Sequence, residues 1–126
     1  MVAWGGGLAL LWIGGCASQH YARPTPTQIS DATASVWTAR ARGAADDHRA
    51  APFLTVAERE LVAGRRSLDA GHNRDANWQF ARAAVDGQLS QALVRRTRSE
   101  RDVAAAESRV TEARTVTPSP APAGEF

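Results

Sequence analysis

Leu54-Thr55-Val56-Ala57-Glu58-Arg59-Glu60-Leu61-Val62-Ala63-Gly64-Arg65-Arg66-Ser67-Leu68-Asp69-Ala70-Gly71-His72-Asn73 is the stretch whose reading decides the architecture. Leu54, Ala57, Leu61, Gly64 and Leu68 step by three and four, the spacing of a narrow helix seam of the a/d kind. Thr55 with Glu58 has the form of a capping box, in which the Thr hydroxyl accepts from the amide three residues on while the Glu reaches back. Gly64 inside the seam costs about 1 kcal/mol of helix propensity but lets a neighbouring helix come close. Gly71 stands at the C′ position, where a positive φ is needed, so the helix stops there and turns within two or three residues. A turn that short makes the helices on either side antiparallel neighbours.

Downstream, a third helix starts near Asn73 or Asp75 and runs without a breaker to about Arg114, roughly 40 residues and about 60 Å at 1.5 Å per residue. Its first half is apolar on two faces. Ala76, Phe80, Ala83 and Gly87 line one; Trp78, Ala81, Val85, Leu89 and Ala92 line the other. Two other helices are expected to cover those two faces. Beyond Arg95 the apolar pattern thins to Val103, Ala106, Val110 and Ala113 among charged residues, so the last turns are expected to project, as a single helix or a coiled-coil strand. Upstream, Ile29, Ala32, Val36 and Ala39 give one stripe over a first helix at about Gln28 to Arg42, with Thr27 or Ser30 as N-cap. Gly43 and Asp46-Asp47 end it, and a polar loop of about ten residues leads to Ala51-Pro52. The sequence therefore predicts an all-α domain over 28–114, a three-helix up-down-up bundle with a long third helix.

Composition agrees. Hydrophobic residues make up 44 % of the chain but aromatics only 6 %, so much of the core must be Ala. Ala contributes little buried area, and a core built from it works where helices approach closely. The basic residues are all Arg, 15 against 13 acidic, for a net charge of +2. That balance is too weak for nucleic acid, and Arg and acid are interspersed as on an ordinary solvated surface.

The two ends read differently. Leu8 to Ile13 is apolar but far shorter than the roughly 20 residues that span a bilayer. Small residues then precede the chain's single Cys, the arrangement of a signal peptide over 1–15. Ile13-Gly14-Gly15-Cys16 resembles a lipobox: a branched apolar residue, two small ones and the cysteine. The resemblance implies cleavage between Gly15 and Cys16 and lipidation of Cys16, by diacylglyceryl and then acyl groups such as palmitate. Ile stands where Leu is commoner, and the segment before it carries no Lys or Arg. Ala17-Ser18 after the Cys is the pattern of sorting to the outer membrane of a diderm bacterium, facing the periplasm. Residues 16–27, with Pro24 and Pro26, read as the lipidated Cys and a flexible tether; residues 115–126, with Pro118, Pro120 and Pro122, read as a disordered tail.

Taken together, Glu60-Leu61, Leu68-Asp69-Ala70-Gly71, Ala76, Phe80-Ala81 and Ala84-Val85-Asp86-Gly87-Gln88-Leu89 resemble an Ala-rich lipoprotein family, domain of unknown function 4398. The resemblance covers about 28–114. It implies a helix, a loop ending in Ala-Pro (Ala51-Pro52 here), a helix, an Ala-Gly turn and a long helix bearing an Asp-Ala-x-Leu-Ala signature. This chain has Gly87 and Ser90 at the two Ala positions of that signature. The family brings no catalytic residues with it.

Candidate chemistry is sparse. Asp46-Asp47-His48 offers three adjacent metal ligands, but adjacent residues seldom converge on one ion, and no metal or other cofactor is assigned. His72 with Asp69 or Asp75 has the makings of an acid/base pair, yet it flanks a turn where nothing else polar converges. Arg95, Arg96, Arg98 and Arg101 form the densest basic cluster, which suits anionic head groups or, with Glu100, Asp102 and Glu107 nearby, a salt-bridged helix surface. Trp37 and Trp78 are expected as core anchors, with a partner groove as the alternative if either is exposed. The function expected is that of a non-enzymatic envelope lipoprotein, bound to a membrane through its lipid, whose helices act as an interaction or spacer module. Trp37, Trp78, Val103 and Val110 are the candidate surface for a helical protein partner or for self-association. The alternative is an accessory or regulatory subunit of an envelope enzyme or transporter.

Overall fold

A computed structural model describes residues 21–116, and the signal segment, Gly15, Cys16 and the tail from 117 onward lie outside the described residues. Three helices make up the fold: α1 (Pro26–Ala41), α2 (Ala51–Asp69) and α3 (Asn73–Val116). Both α1 and α2 pack on α3 and touch each other little. The result is the up-down-up bundle with an overlong third helix that the periodicity requires.

The start of α1 is set by a capping box. The Thr25 hydroxyl accepts from the Gln28 amide at 3.2 Å, and the Thr25 amide donates to Gln28 Oε1 at 2.8 Å, with Pro26 just inside the helix. Thr27 and Ser30, the expected caps, lie within the helix instead. Thr25-x-x-Gln28 with Pro26 carried the signal, and its proximity to a second proline hid it.

At α2 the expectation also needs correcting. The helix begins at Ala51, four residues before Thr55, whose hydroxyl donates back to the Ala51 carbonyl at 3.0 Å rather than capping anything. Asp47 provides the ordered entry: its carboxylate accepts from the amides of Arg49 at 2.9 Å and Ala50 at 3.1 Å. Both helix ends that face loops close in the same way. Gly43 at φ 85° and Gly71 at φ 76° let the chain reverse, and the bonds Ala44 N–H to Ala39 O and His72 N–H to Ser67 O span the ends.

One face of α3 forms the seam on which the core is built. Ala76, Phe80, Ala83, Gly87, Ser90, Val94 and Thr97 are buried, in alternating steps of four and three. Ala32, Val36 and Ala39 of α1 and Leu54, Ala57 and Leu61 of α2 meet that seam. The stripes expected for α1 and α2 are the ones buried. The second apolar face expected for α3 is not: Trp78, Ala81, Val85 and Leu89 are exposed. Two small helices fit side by side over one Ala-rich seam when polar residues at its edges bond across it, so α3 has no need of a second face.

Small residues set the spacing along the seam. Cβ on Gly64 would meet the Phe80 ring at 3.1 Å, and Cβ on Gly87 would meet the Ser35 carbonyl carbon at 2.9 Å. Gly87 thus marks the closer of these two approaches, and Gln91 Nε2 clips it by donating to the Ser35 carbonyl at 2.9 Å. Higher up, the buried Ser90 hydroxyl donates to the Ala50 carbonyl at 3.1 Å, fixing the α1–α2 loop to α3. Gly87 and Ser90 are the two departures from the signature noted above, and each answers a specific contact.

Candidate functional site

The bundle has two unlike ends. At the base, where α2 turns into α3, residues 21–25 lie against the first turns of α3. Pro24 is buried, Asn77 Nδ2 donates to the Ala22 carbonyl at 2.8 Å, and the Arg74 guanidinium sits 5.4 Å from the Tyr21 ring centroid. This part of the expected tether is therefore docked. A proline that fixes the extended backbone and an amide that satisfies it hold the segment in place.

At the opposite end the chain has its loop and its arm. Asp47 is buried under Thr97, whose hydroxyl lies against the carboxylate short of full hydrogen-bond geometry. That hydroxyl, then the amides of Arg49 and Ala50 and the charge of His48, hold the Asp47 carboxyl below the usual range against the opposing effect of burial. Arg49 pairs with Glu100, which also takes Arg96 at 2.8 Å; the Glu100 carboxyl is lowered by Arg49 first and Arg96 second. Arg98 donates to the Arg42 carbonyl at 2.6 Å, closing the C-terminus of α1. Two of the four clustered arginines are thereby absorbed into the fold. The cluster also lies at the far end of the bundle from Tyr21.

From Arg101 to Val116 every residue of α3 is exposed, so about 24 Å of helix stands clear of the bundle. Val103 is 54 % and Val110 50 % exposed. Trp37 and Trp78 are 63 % and 64 % exposed, so neither is the core anchor expected; Phe80 fills that role. Trp37 flanks a cavity of about 180 Å³ between α1 and α2, walled by Val36, Leu61 and Val62 and rimmed by the Arg40–Glu58 ion pair at 2.6 Å. Trp78 and Tyr21 line a shallower hollow at the base, with Arg74, Asp75 and Asn77. The four candidate surface residues thus fall on three separate places: the α1–α2 cleft, the base and the arm.

The candidate polar groups do not converge. Asp47 turns inward to cap backbone while Asp46 and His48 face solvent, and His72 is exposed with no side-chain partner among the described residues. Among the described residues no group of three or more His, Cys, Asp or Glu is placed to hold a metal, and no helix is long and apolar enough to cross a membrane.

No curated protein and no solved structure matches the chain. A family model described as domain of unknown function (DUF4398) matches residues 27–106. That range takes in α1, α2 and the whole buried length of α3, together with the crossing at Gly87 and the turn at Gly71 that the sequence resemblance rested on. This chain belongs to the family of the domain of unknown function 4398.

Proposed function

We propose that this protein is a non-enzymatic lipoprotein of the bacterial envelope, held to the outer membrane through lipid on Cys16 and facing the periplasm. On this reading the bundle is a spacer and interaction module. The observation that carries it is Ile13-Gly14-Gly15-Cys16, a single Cys preceded by a short apolar run and small residues. Two or three acyl chains on one Cys give stable anchoring where one chain gives only marginal binding.

The shape of the bundle supports a spacer. Cys16 precedes Tyr21 by five residues, a reach of at most about 18 Å, and Tyr21 docks at the base of α3. The arm leaves the other end. A chain anchored at Cys16 then carries Val103 and Val110 away from its membrane along a helix of 44 residues, about 66 Å. The test is intact mass with membrane fractionation, on wild type and Cys16→Ser expressed with the native upstream region. Cleavage before Cys16, added acyl mass and membrane association, all lost in Cys16→Ser, support the proposal. A full-mass, soluble wild type refutes it.

A second reading, an accessory subunit of an envelope enzyme or transporter, draws on the exposed Trp37 beside the α1–α2 cleft. A large exposed aromatic over an apolar cleft is the form of an interface anchor. Stoichiometric co-purification that Trp37→Ala abolishes would favour it over a spacer that acts alone.

A further inference from the structure

The base of the bundle brings two exposed aromatic rings and several arginines together. Tyr21, 44 % exposed, and Trp78 line one hollow, and each ring has a guanidinium over it: Arg74 at 5.4 Å from Tyr21 and Arg82 at 6.0 Å from Trp78. Arg23, Arg65, Arg66 and Arg74 form no ion pair among the described residues; the carboxylates within the same depth are Asp31, Asp69 and Asp75, likewise unpaired. Four Arg against three Asp leave this end with a net charge of +1. At the far end Arg49, Arg96 and Arg98 are engaged, while Arg95 and Arg101 form no ion pair among the described residues.

Exposed Tyr and Trp with flanking Arg is the composition of a surface that sits in the head-group zone of a bilayer, rings at the interface and guanidinium groups on phosphate. Position agrees. Trp78 is five residues into α3, about 7 Å from its start, within the 5–10 Å to which interfacial side chains sink. Trp37 is the twelfth residue of α1, about 17 Å along it, and lies out of reach.

We propose that the Tyr21–Arg74–Trp78 end seats on the anionic head groups of the same bilayer that holds Cys16, so that the bundle stands upright with its arm directed away. The seat rests on the lipid-anchor reading, and its test separates the two. Cleavage before Cys16 removes Trp4 and Trp12, leaving Trp37 and Trp78. Trp37→Phe and Trp78→Phe then give single-Trp proteins, to be purified from membranes and reconstituted in vesicles of phosphatidylcholine with a quarter phosphatidylglycerol, with brominated chains as quencher. Mass spectrometry of each sample reports the anchor; quenching reports the seat.

The proposal expects Trp78 emission to shift to the blue and be quenched by brominated lipid while Trp37 emission is unchanged. It expects that quenching to fall in Arg23→Gln/Arg66→Gln/Arg74→Gln, and on raising salt. A lipidated, vesicle-bound protein whose Trp78 is quenched no more than Trp37 overturns the seat and leaves the anchor standing. Trp78 shielded from aqueous acrylamide but not quenched by lipid would mean that a protein covers this end, which also overturns it. A full-mass chain without acyl groups overturns anchor and seat together.

Discussion

Replacing Gly87 with Ala adds one methyl group where α3 crosses close to the backbone of α1. The new Cβ would stand 2.9 Å from the Ser35 carbonyl carbon, 3.0 Å from Ser35 Cβ and 3.1 Å from the Ser35 carbonyl oxygen. Carbon atoms rest at about 3.5–4.0 Å, so α1 must withdraw by roughly 0.5–1 Å. Two of those three atoms are backbone, so no rotamer change relieves the clash. Withdrawal stretches the Gln91–Ser35 bond and loosens Ala32, Val36 and Ala39 from the seam. Overpacking of this kind costs about 1–3 kcal/mol, and Ala returns about 1 kcal/mol of helix propensity.

Gly64→Ala is the matched control. It gains the same propensity, but its new methyl meets the rim of the Phe80 ring at 3.1–3.2 Å, a side chain able to tilt by a few tenths of an ångström. Thermal unfolding of the two variants, read by circular dichroism, should place Gly87→Ala below Gly64→Ala by about 1 kcal/mol or more. For a domain of this size that is about 4–8 °C in Tm per kcal/mol. Ser35→Gly should not rescue Gly87→Ala, because the carbonyl group remains. A Gly87→Ala protein as stable as Gly64→Ala would refute the claim that close backbone approach at this crossing demands glycine.

The other variants probe separate parts of the structure. Phe80→Ala empties the largest buried side chain and should cost about 3–5 kcal/mol in chemical denaturation, enough to leave the bundle largely unfolded at 37 °C. Ser90→Ala removes one of the two hydrogen bonds to the Ala50 carbonyl, which keeps the Leu54 amide, and should cost about 0.5–1.5 kcal/mol in chemical denaturation. Because the folded Asp47 carboxyl lies below its unfolded value of about 3.9, its stabilising effect is present above that pH and is lost as pH falls through the folded value. Wild type should therefore lose stability on acidification below about pH 4, and Asp47→Asn should start lower in Tm with a flatter profile over that window. Removing residues 101–126 deletes only exposed helix from the described part of the chain, so Tm should move by no more than a degree or two. A larger fall would mean that the arm contributes to the fold.

Much of this fold was legible because the chain uses strong local punctuation. The α1 stripe from Ile29 to Ala39, the α2 seam from Leu54 to Leu68 and the turn at Gly71 all depend on residues within a few turns of each other. Failures came where distant residues decide. Thr55-x-x-Glu58 has every local mark of a helix start, yet Asp47 orders the loop from four residues before the helix, and Thr97 from α3 covers it. The outer face of α3 reads as core in an Ala-rich helix that has apolar residues all round. Nothing local distinguishes Phe80, which meets Gly64, from Trp78, which meets solvent. Docking of residues 21–25 was hidden for the same reason, since Asn77 lies 55 positions from the carbonyl it binds. Trp37, Trp78, Val103 and Val110 are all exposed, but their separation into cleft, base and arm follows only from the packing of α1 and α2 on one seam.

Lipid at Cys16 is what both the spacer and the membrane seat require. Cells grown with an alkyne analogue of palmitate, lysed and coupled to a fluorescent azide, report that modification directly on the immunoprecipitated protein. If Cys16 carries lipid, the wild-type chain is labelled and the Cys16→Ser chain, at comparable abundance, is not. An unlabelled wild type, or label that persists in Cys16→Ser, would contradict lipidation at Cys16.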